Sequence, residues 1–208
     1  MFNFDNLCNS NLEYCIEMAI ENEANIEKCL FEDDEILNSE IYNIEIRKSK
    51  FYNCILSNCK FENTFFNNVY FENCDFSNSS FDSCNFTKVN FHNCKFIGCN
   101  IYSSILDTTS FNSCNCEYLN FSDSSIRMSN LLYSNFRNAS FNNVKLLLND
   151  FNDCKFTSSS FYKTFLKDID FSTSDISGIN VDIPSLKGAI VNEFQAMNLS
   201  LLLGIKIK

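Results

Sequence analysis

From Ile26 to Val191 every fifth residue is apolar, without a break, through 34 consecutive positions. The run opens Ile26, Phe31, Ile36, Ile41, Ile46, Phe51, Leu56 and Phe61. It passes through phenylalanine at each step from Phe66 to Phe96 and closes with Ile176, Val181, Leu186 and Val191. An α-helix repeats near 3.6 residues and a strand repeats at 2, so a fixed period of five is neither. It predicts a solenoid whose unit is one short structural element stacked on its neighbours.

A second column accompanies the first. Two residues before each central position stands a small or thin side chain: Cys54, Cys59, Thr64, Val69, Cys74, Ser79, Cys84 and on to Cys114. The residues between are mostly Asn, Ser, Asp, Glu and Lys, which belong outside. Of the 23 phenylalanines only Phe2, Phe4, Phe65, Phe165 and Phe194 lie off the period. The unit reads small–polar–Phe/Leu–polar–polar, as in Cys74-Asp75-Phe76-Ser77-Asn78.

This unit resembles the pentapeptide-repeat family, over roughly four-fifths of the chain. The resemblance implies an all-β fold, a right-handed quadrilateral β-helix. Four pentapeptides make a 20-residue coil, with both columns pointing inward. About eight coils at ~4.8 Å each give a rod near 40 Å long. Residues 1–25 form either a helical cap or an imperfect first coil. Residues 26–191 form the β-helix, and residues 192–208 form a C-terminal helical cap.

Within the rod, Phe31, Phe51, Phe71, Phe91, Phe111, Leu131, Phe151 and Phe171 fall on one wall, 20 residues apart, and are expected to stack with offset rings. Cys116 takes a central position, and Leu119 takes a small slot in the same coil, an exchange of volume within one layer. Asp34 occupies a slot that wants Cys or Ser, which predicts distortion or exposure near that end. Pro184 falls in a slot where a strand that need not donate tolerates it. Nine of the twelve cysteines lie in the small column, and Cys116 lies in the central one. That placement predicts buried free thiols acting as small apolar groups. One histidine and no Cys-x-x-Cys pair argue against a metal site.

In the tail, Asn192 suits a helix cap with Gln195 reaching back, and Gly204 suits a stop. Ile205-Lys206-Ile207-Lys208 alternates like a short strand. The stretch from Leu186 to Ile205 resembles the C-terminal cap of the quinolone-resistance pentapeptide proteins, which implies end-to-end homodimerisation. Phe194, Leu199, Leu202 and Leu203 are too many apolar groups for one short helix to hide against a single coil end.

No catalytic constellation stands out. His92 is alone on an outward position, and neither a phosphate loop nor a nucleophile motif occurs, so an enzyme and a bound cofactor are not expected. No run of 18 apolar residues spans a membrane, and the N-terminus has no secretion signal. The expected location is the cytoplasm.

What remains is surface. The net charge of −10 argues against direct nucleic-acid binding. It suits a DNA mimic that binds a type II topoisomerase (gyrase), which is what the quinolone-resistance resemblance implies. Residues 1–50 hold 12 acidic and 4 basic side chains, so most of the excess lies at the N-terminal end. Sorted by coil side, one side is acidic through Glu72, Asp150, Asp153 and Asp170. Another combines basic and apolar groups, including Phe65, Lys88, Arg127 and Phe165. The first is the expected partner-binding face of a mimic. The second is that of a scaffold for an unrelated protein partner.

Overall fold

The computed structural model describes residues 6–206. The chain winds with a register of 20 residues per turn, every pairing parallel: Phe61 beside Phe81, Phe66 beside Phe86, and Phe71 beside Phe91. Glu35, Ile55, Asp75, Lys95, Asn115, Asn135, Lys155 and Asp175 form one ladder, eight rungs enclosing about seven turns. The cross-section has four walls. Wall A carries central residues Phe31 to Val191, wall B Ile36 to Ile176, wall C Ile41 to Val181, and wall D Ile26 to Leu186, each at 20-residue steps. In two successive turns a continuous strand runs from wall D into wall A, Phe65–Glu72 and Asn85–His92.

The central residues fill the interior as expected, with Phe71 and Phe91 1 % exposed and Phe111 fully buried. Because rungs are one strand spacing apart, ring stacks directly on ring. Centroids are 4.6 Å apart for Phe51 and Phe71, 4.6 Å for Phe61 and Phe81, and 4.9 Å for Phe66 and Phe86. Neighbouring walls meet edge to face, as Phe71 meets Phe76 at 5.2 Å and 82°. Both members of the Cys116–Leu119 exchange are fully buried. At Phe151 and Phe171 the expected stack on wall A gives way to an edge contact at 5.9 Å and 62°.

The small inward residues do more than save space. Ser104 Oγ donates to the carbonyl of Phe81 (2.6 Å) and accepts from the N–H of Cys84 (3.0 Å), tying each turn to the one below. Ser79 does the same with Leu56 and Cys59. Cysteine supplies the donor alone, as Cys99 Sγ to Phe76 O at 2.8 Å. These carbonyls point into an apolar interior, where an unpaired one is costly.

Each pentapeptide ends on a corner whose residue has positive φ, from Lys28 at every fifth position through Asp168. This left-handed conformation disfavours a Cβ, and asparagine tolerates it best after glycine. Asn accordingly recurs at these corners, and on one edge the amides chain together. Asn93 donates to Asn73 (2.7 Å), Asn73 to Asn53 (3.2 Å), and Asn53 to Asp33 (3.0 Å).

The N-terminal end is closed by helix α1, Leu12–Asn22, capped by the Asn11 side chain on Tyr14 N–H, with Leu12, Ile16 and Ala19 buried against the first turn. Ahead of it Cys8–Asn9 pairs with Cys29 and Leu30, so this end combines a helix with a fragment of a further coil. Beneath α1, Asp34 is half-buried, and its Oδ2 is enclosed with no hydrogen-bond partner. Burial pushes its carboxyl up, against the opposing pull of the Leu12 N–H. Pro184 does not stand in a strand. It opens the 3₁₀ turn Ile183–Leu186, a position where its missing N–H costs nothing.

Helix α2, Glu193–Ser200, closes the other end. It is held by the reciprocal Asn192–Gln195 capping box, and Gln195 Nε2 also donates to Phe171 O (2.9 Å) and Ser174 O (2.7 Å). A 3₁₀ turn Leu201–Leu203 follows, and Gly204 ends it in the left-handed conformation. Ile205 and Lys206 form no strand, and Ile207 and Lys208 lie outside the described residues.

Two outcomes follow from this packing. Burial pushes the thiols of Cys84, Cys99 and Cys154 up to about 12, so they stay protonated and unreactive at neutral pH. In native protein a thiol reagent is expected to modify exposed Cys8 promptly and to reach all twelve cysteines only after denaturation. Recovery of half or fewer on non-reducing denaturation would refute free thiols. For Asp34, a raised folded pKa gives a contribution to stability that is present at low pH and lost as pH rises through the folded value. Asp34→Asn keeps an acceptor for Leu12 and removes the charge. It is therefore expected to raise Tm at pH 7 by more than at pH 4, and an equal shift at both would contradict the burial argument.

Candidate functional site

No side-chain cluster suits catalysis. Among the described residues no group of three or more His, Cys, Asp or Glu is gathered as a metal site, and His92 stands alone, half-buried on wall A. No helix among them is long and apolar enough to cross a membrane. The chemistry on offer is that of flat, periodic surfaces.

Wall A carries the acidic residues singled out from sequence, but the structure divides them. Asp150, Asp153 and Asp170 are exposed on adjacent turns next to the C-terminal cap, with no ion-pair partner among the described residues. The Ser172 side chain, together with the Ser172 N–H that donates to Asp170 Oδ1 (2.8 Å), holds the Asp170 carboxyl below the ordinary range. Glu72 stands four turns away, half-buried, and is paired with Lys50 at 3.4 Å. The wall is therefore not acidic along its length: carboxylates without an ion pair among the described residues stand at its two ends, Glu32 and Asp33 at the N-terminal one and Asp150, Asp153 and Asp170 at the other.

Wall D carries Phe65, Lys88, Arg127 and Phe165, and its ladder runs 45, 65, 85, 105, 125, 145, stopping short of Phe165. Lys88 is exposed, whereas Arg127 is engaged by Asp107 of the turn below. Much of the remaining charge cancels in the same way, Lys60 with Glu40 at 2.8 Å and Lys95 with Asp75 at 3.4 Å. The 20-residue register puts opposite charges on adjacent rungs, where an exposed pair contributes little. Between Phe65 and Phe165 this wall also exposes Ile105, Met128, Leu147 and Leu148.

The C-terminal end exposes the largest concentration of apolar groups. Phe194 is 67 % exposed and Leu203 59 %, with Leu201 and Leu202 beside them. Leu199, also expected from sequence to face outward, instead packs half-buried onto the core of the last turn. Leu199, Leu202 and Leu203, with Ile183, Pro184 and Val191, border an apolar groove of about 590 Å³ along α2. Sequence reasoning missed Leu201, which lies beyond the periodic part of the chain, and Ile183, which takes a nominally outward position within its last turn.

These features define a quadrilateral β-solenoid built from five-residue units. The family model for pentapeptide repeats matches residues 54–93 and 66–101, with eight copies of the repeat, so this stretch of the rod is built from pentapeptide repeats. Among solved structures it is similar to trypsin-treated QnrB1, a plasmid-mediated fluoroquinolone resistance protein. Identity is 16 % over 89 % of this chain and 100 % of that one, with a TM-score of 0.41. It is also similar to HetL from the cyanobacterium Nostoc sp. strain PCC 7120, a pentapeptide-repeat protein involved in regulating heterocyst differentiation. There identity is 11 % over 87 % of this chain and 99 % of that one, with a TM-score of 0.28. A third is Rfr23 from the cyanobacterium Cyanothece 51142, at 10 % identity over 86 % and 99 % of the two chains and a TM-score of 0.29. No curated protein matches.

Proposed function

We propose that the protein is a non-enzymatic binding rod, dimerised through its C-terminal end, that mimics DNA in the groove of a type II topoisomerase (gyrase) and shields that enzyme from quinolones. One observation carries the reading: Asp150, Asp153 and Asp170 stand exposed and unpaired on one flat wall beside the cap. A row of carboxylates along one wall is what a groove built for phosphates attracts, with affinity falling as salt rises. A two-fold axis through the cap sets two such rows either side of the junction. The resemblance of the tail to quinolone-resistance caps supports the same arrangement.

The dimer has its own test. Phe194→Asp with Leu203→Asp changes exposed side chains only, so the rod is expected to fold and to run as a monomer by light scattering. An unchanged mass would refute an end-to-end dimer. For the partner, a gyrase supercoiling assay with and without a quinolone is decisive. Converting Asp150, Asp153 and Asp170 to Asn leaves the interior untouched and is expected to abolish binding. Equal binding by the triple variant, or none by the parent, rules out mimicry.

A second reading is favoured by the apolar groups on wall D. A protein partner that needs Phe65, Lys88, Arg127 and Phe165 makes the rod a scaffold. Phe65→Ser with Phe165→Ser would then abolish capture of that partner while the triple Asp variant retains it.

A further inference from the structure

The hydrogen-bond ladder of the rod opens at one corner, between the turn carrying residues 145–152 and the turn carrying 165–172. One turn lower the pairing is complete, with Leu146 in register beside Ile126, Phe151 beside Leu131, and Met128 N–H on Leu147 O at 2.8 Å. One turn higher it is closed again, with Leu166 N–H on Ser185 O and Phe171 N–H on Ile190 O, both 2.9 Å. Between them, the N–H groups of Leu146, Leu148, Phe151, Phe165 and Asp170 have no partner among the described residues. The Asp153 N–H turns instead to Thr173 Oγ1 at 3.0 Å. Walls B and C remain bonded across the same level, Phe141 N–H to Ser160 O and Phe156 N–H to Asp175 O, both 2.7 Å. The rings agree: Phe141 and Phe161 stack at 4.8 Å and 7°, whereas Phe151 and Phe171 have parted to 5.9 Å.

The cause lies in the inward slot at that corner. Its column reads Cys29, Ser49, Val69, Val89, Thr109, Ser129, then Asn149, Ile169 and Ala189. Asn149 replaces the usual hydroxyl with two atoms, donating to Ile126 O (2.9 Å) and accepting from Ser129 N–H (3.1 Å). Directly above it, Ile169 is buried and has no oxygen to accept the Asn149 N–H, the role Ser129 plays for Thr109 at 3.0 Å. Two large side chains on successive rungs overfill a slot shaped for small ones, and overfilling displaces backbone.

We propose that this corner is a hinge. The turns from residue 165 onward, with α2, swing as one body against the rest of the rod about the intact edge between walls B and C. A body held on two walls, with backbone groups free on the other two, opens at lower cost than the fully laddered turns beneath it.

The test uses the full chain with spin labels on encoded ketone residues, which spare the cysteines. Positions 108 and 168 span three turns across the gap, and positions 48 and 108 span three turns below it, all on wall D corners. The distance distribution across the gap is expected to be about twice as wide as the control, or wider. Asn149→Ser with Ile169→Ser reproduces the Ser104–Ser124 stack found elsewhere in the chain, where Ser124 Oγ accepts from Ser104 N–H at 2.9 Å. It is expected to slow hydrogen exchange at the five free amides about tenfold and to narrow the wide distribution to that of the control. Should the double variant fail to fold, Ile169→Thr supplies the hydroxyl at smaller loss of volume. Equal widths in the parent overturn the hinge, as does slowed exchange without narrowing. Unslowed exchange in a folded variant overturns the overfilled slot as its cause.

Discussion

The spacing of parallel backbone strands governs this protein. Where successive turns are fully bonded, each side chain has an equivalent directly above it, and rings such as Phe51, Phe71 and Phe91 stack 4.6–5.0 Å apart. Flat rings suit that interval because stacked planes fill it without a void, which explains why phenylalanine dominates the interior where larger or branched groups would not nest. The second inward column is filled mostly by thin side chains, with a larger one such as Leu119 where the central slot of the same layer gives up volume. The core is thus a one-dimensional crystal, and its tolerance for irregular volume is small.

That economy made the fold legible. A period of five over 34 positions survives any local uncertainty, and the burial of Phe71, Phe91 and Phe111 follows from it directly. Less legible was what the small column does. Serine and cysteine read as space-savers, whereas Ser79 and Ser104 bind a carbonyl and an amide of the turn below. The corners were also written in the chain, in the Asn at positions 53, 73 and 93, but a reading centred on apolar periodicity passes over them. The open corner was the hardest to see, since Leu146 and Leu166 both keep the beat. The information lay two positions away, in Asn149 and Ile169, and only their stacking on successive rungs makes either one disruptive.

The candidate sites were legible as residue types and not as arrangements. Sorting by coil side placed Phe65, Lys88, Arg127 and Phe165 on one wall, and the strand register follows that wall as far as Arg127. It did not show that Glu72 and Arg127 are spoken for by Lys50 and Asp107, because pairing depends on rotamers across a rung. Free charge on such a rod is what remains after cross-rung neutralisation, and on wall A that remainder stands at the two ends, Glu32 and Asp33 at one and Asp150, Asp153 and Asp170 at the other.

At the C-terminal end charge and mechanics stand together. Asp150 and Asp153 stand on the lower lip of the open corner, and Asp170 stands on the upper one. Rotation about the intact edge leaves the first pair at fixed separation and changes its distance to the third. A groove that binds all three carboxylates therefore selects one setting of the corner, and the cost of holding that setting is subtracted from the binding free energy. Closing the corner by repacking the inward slot alters no surface charge, yet it fixes the spacing of the acidic row. Electrostatic recognition and rod curvature are in this way set by different residues, the aspartates on the outside and Asn149 with Ile169 on the inside.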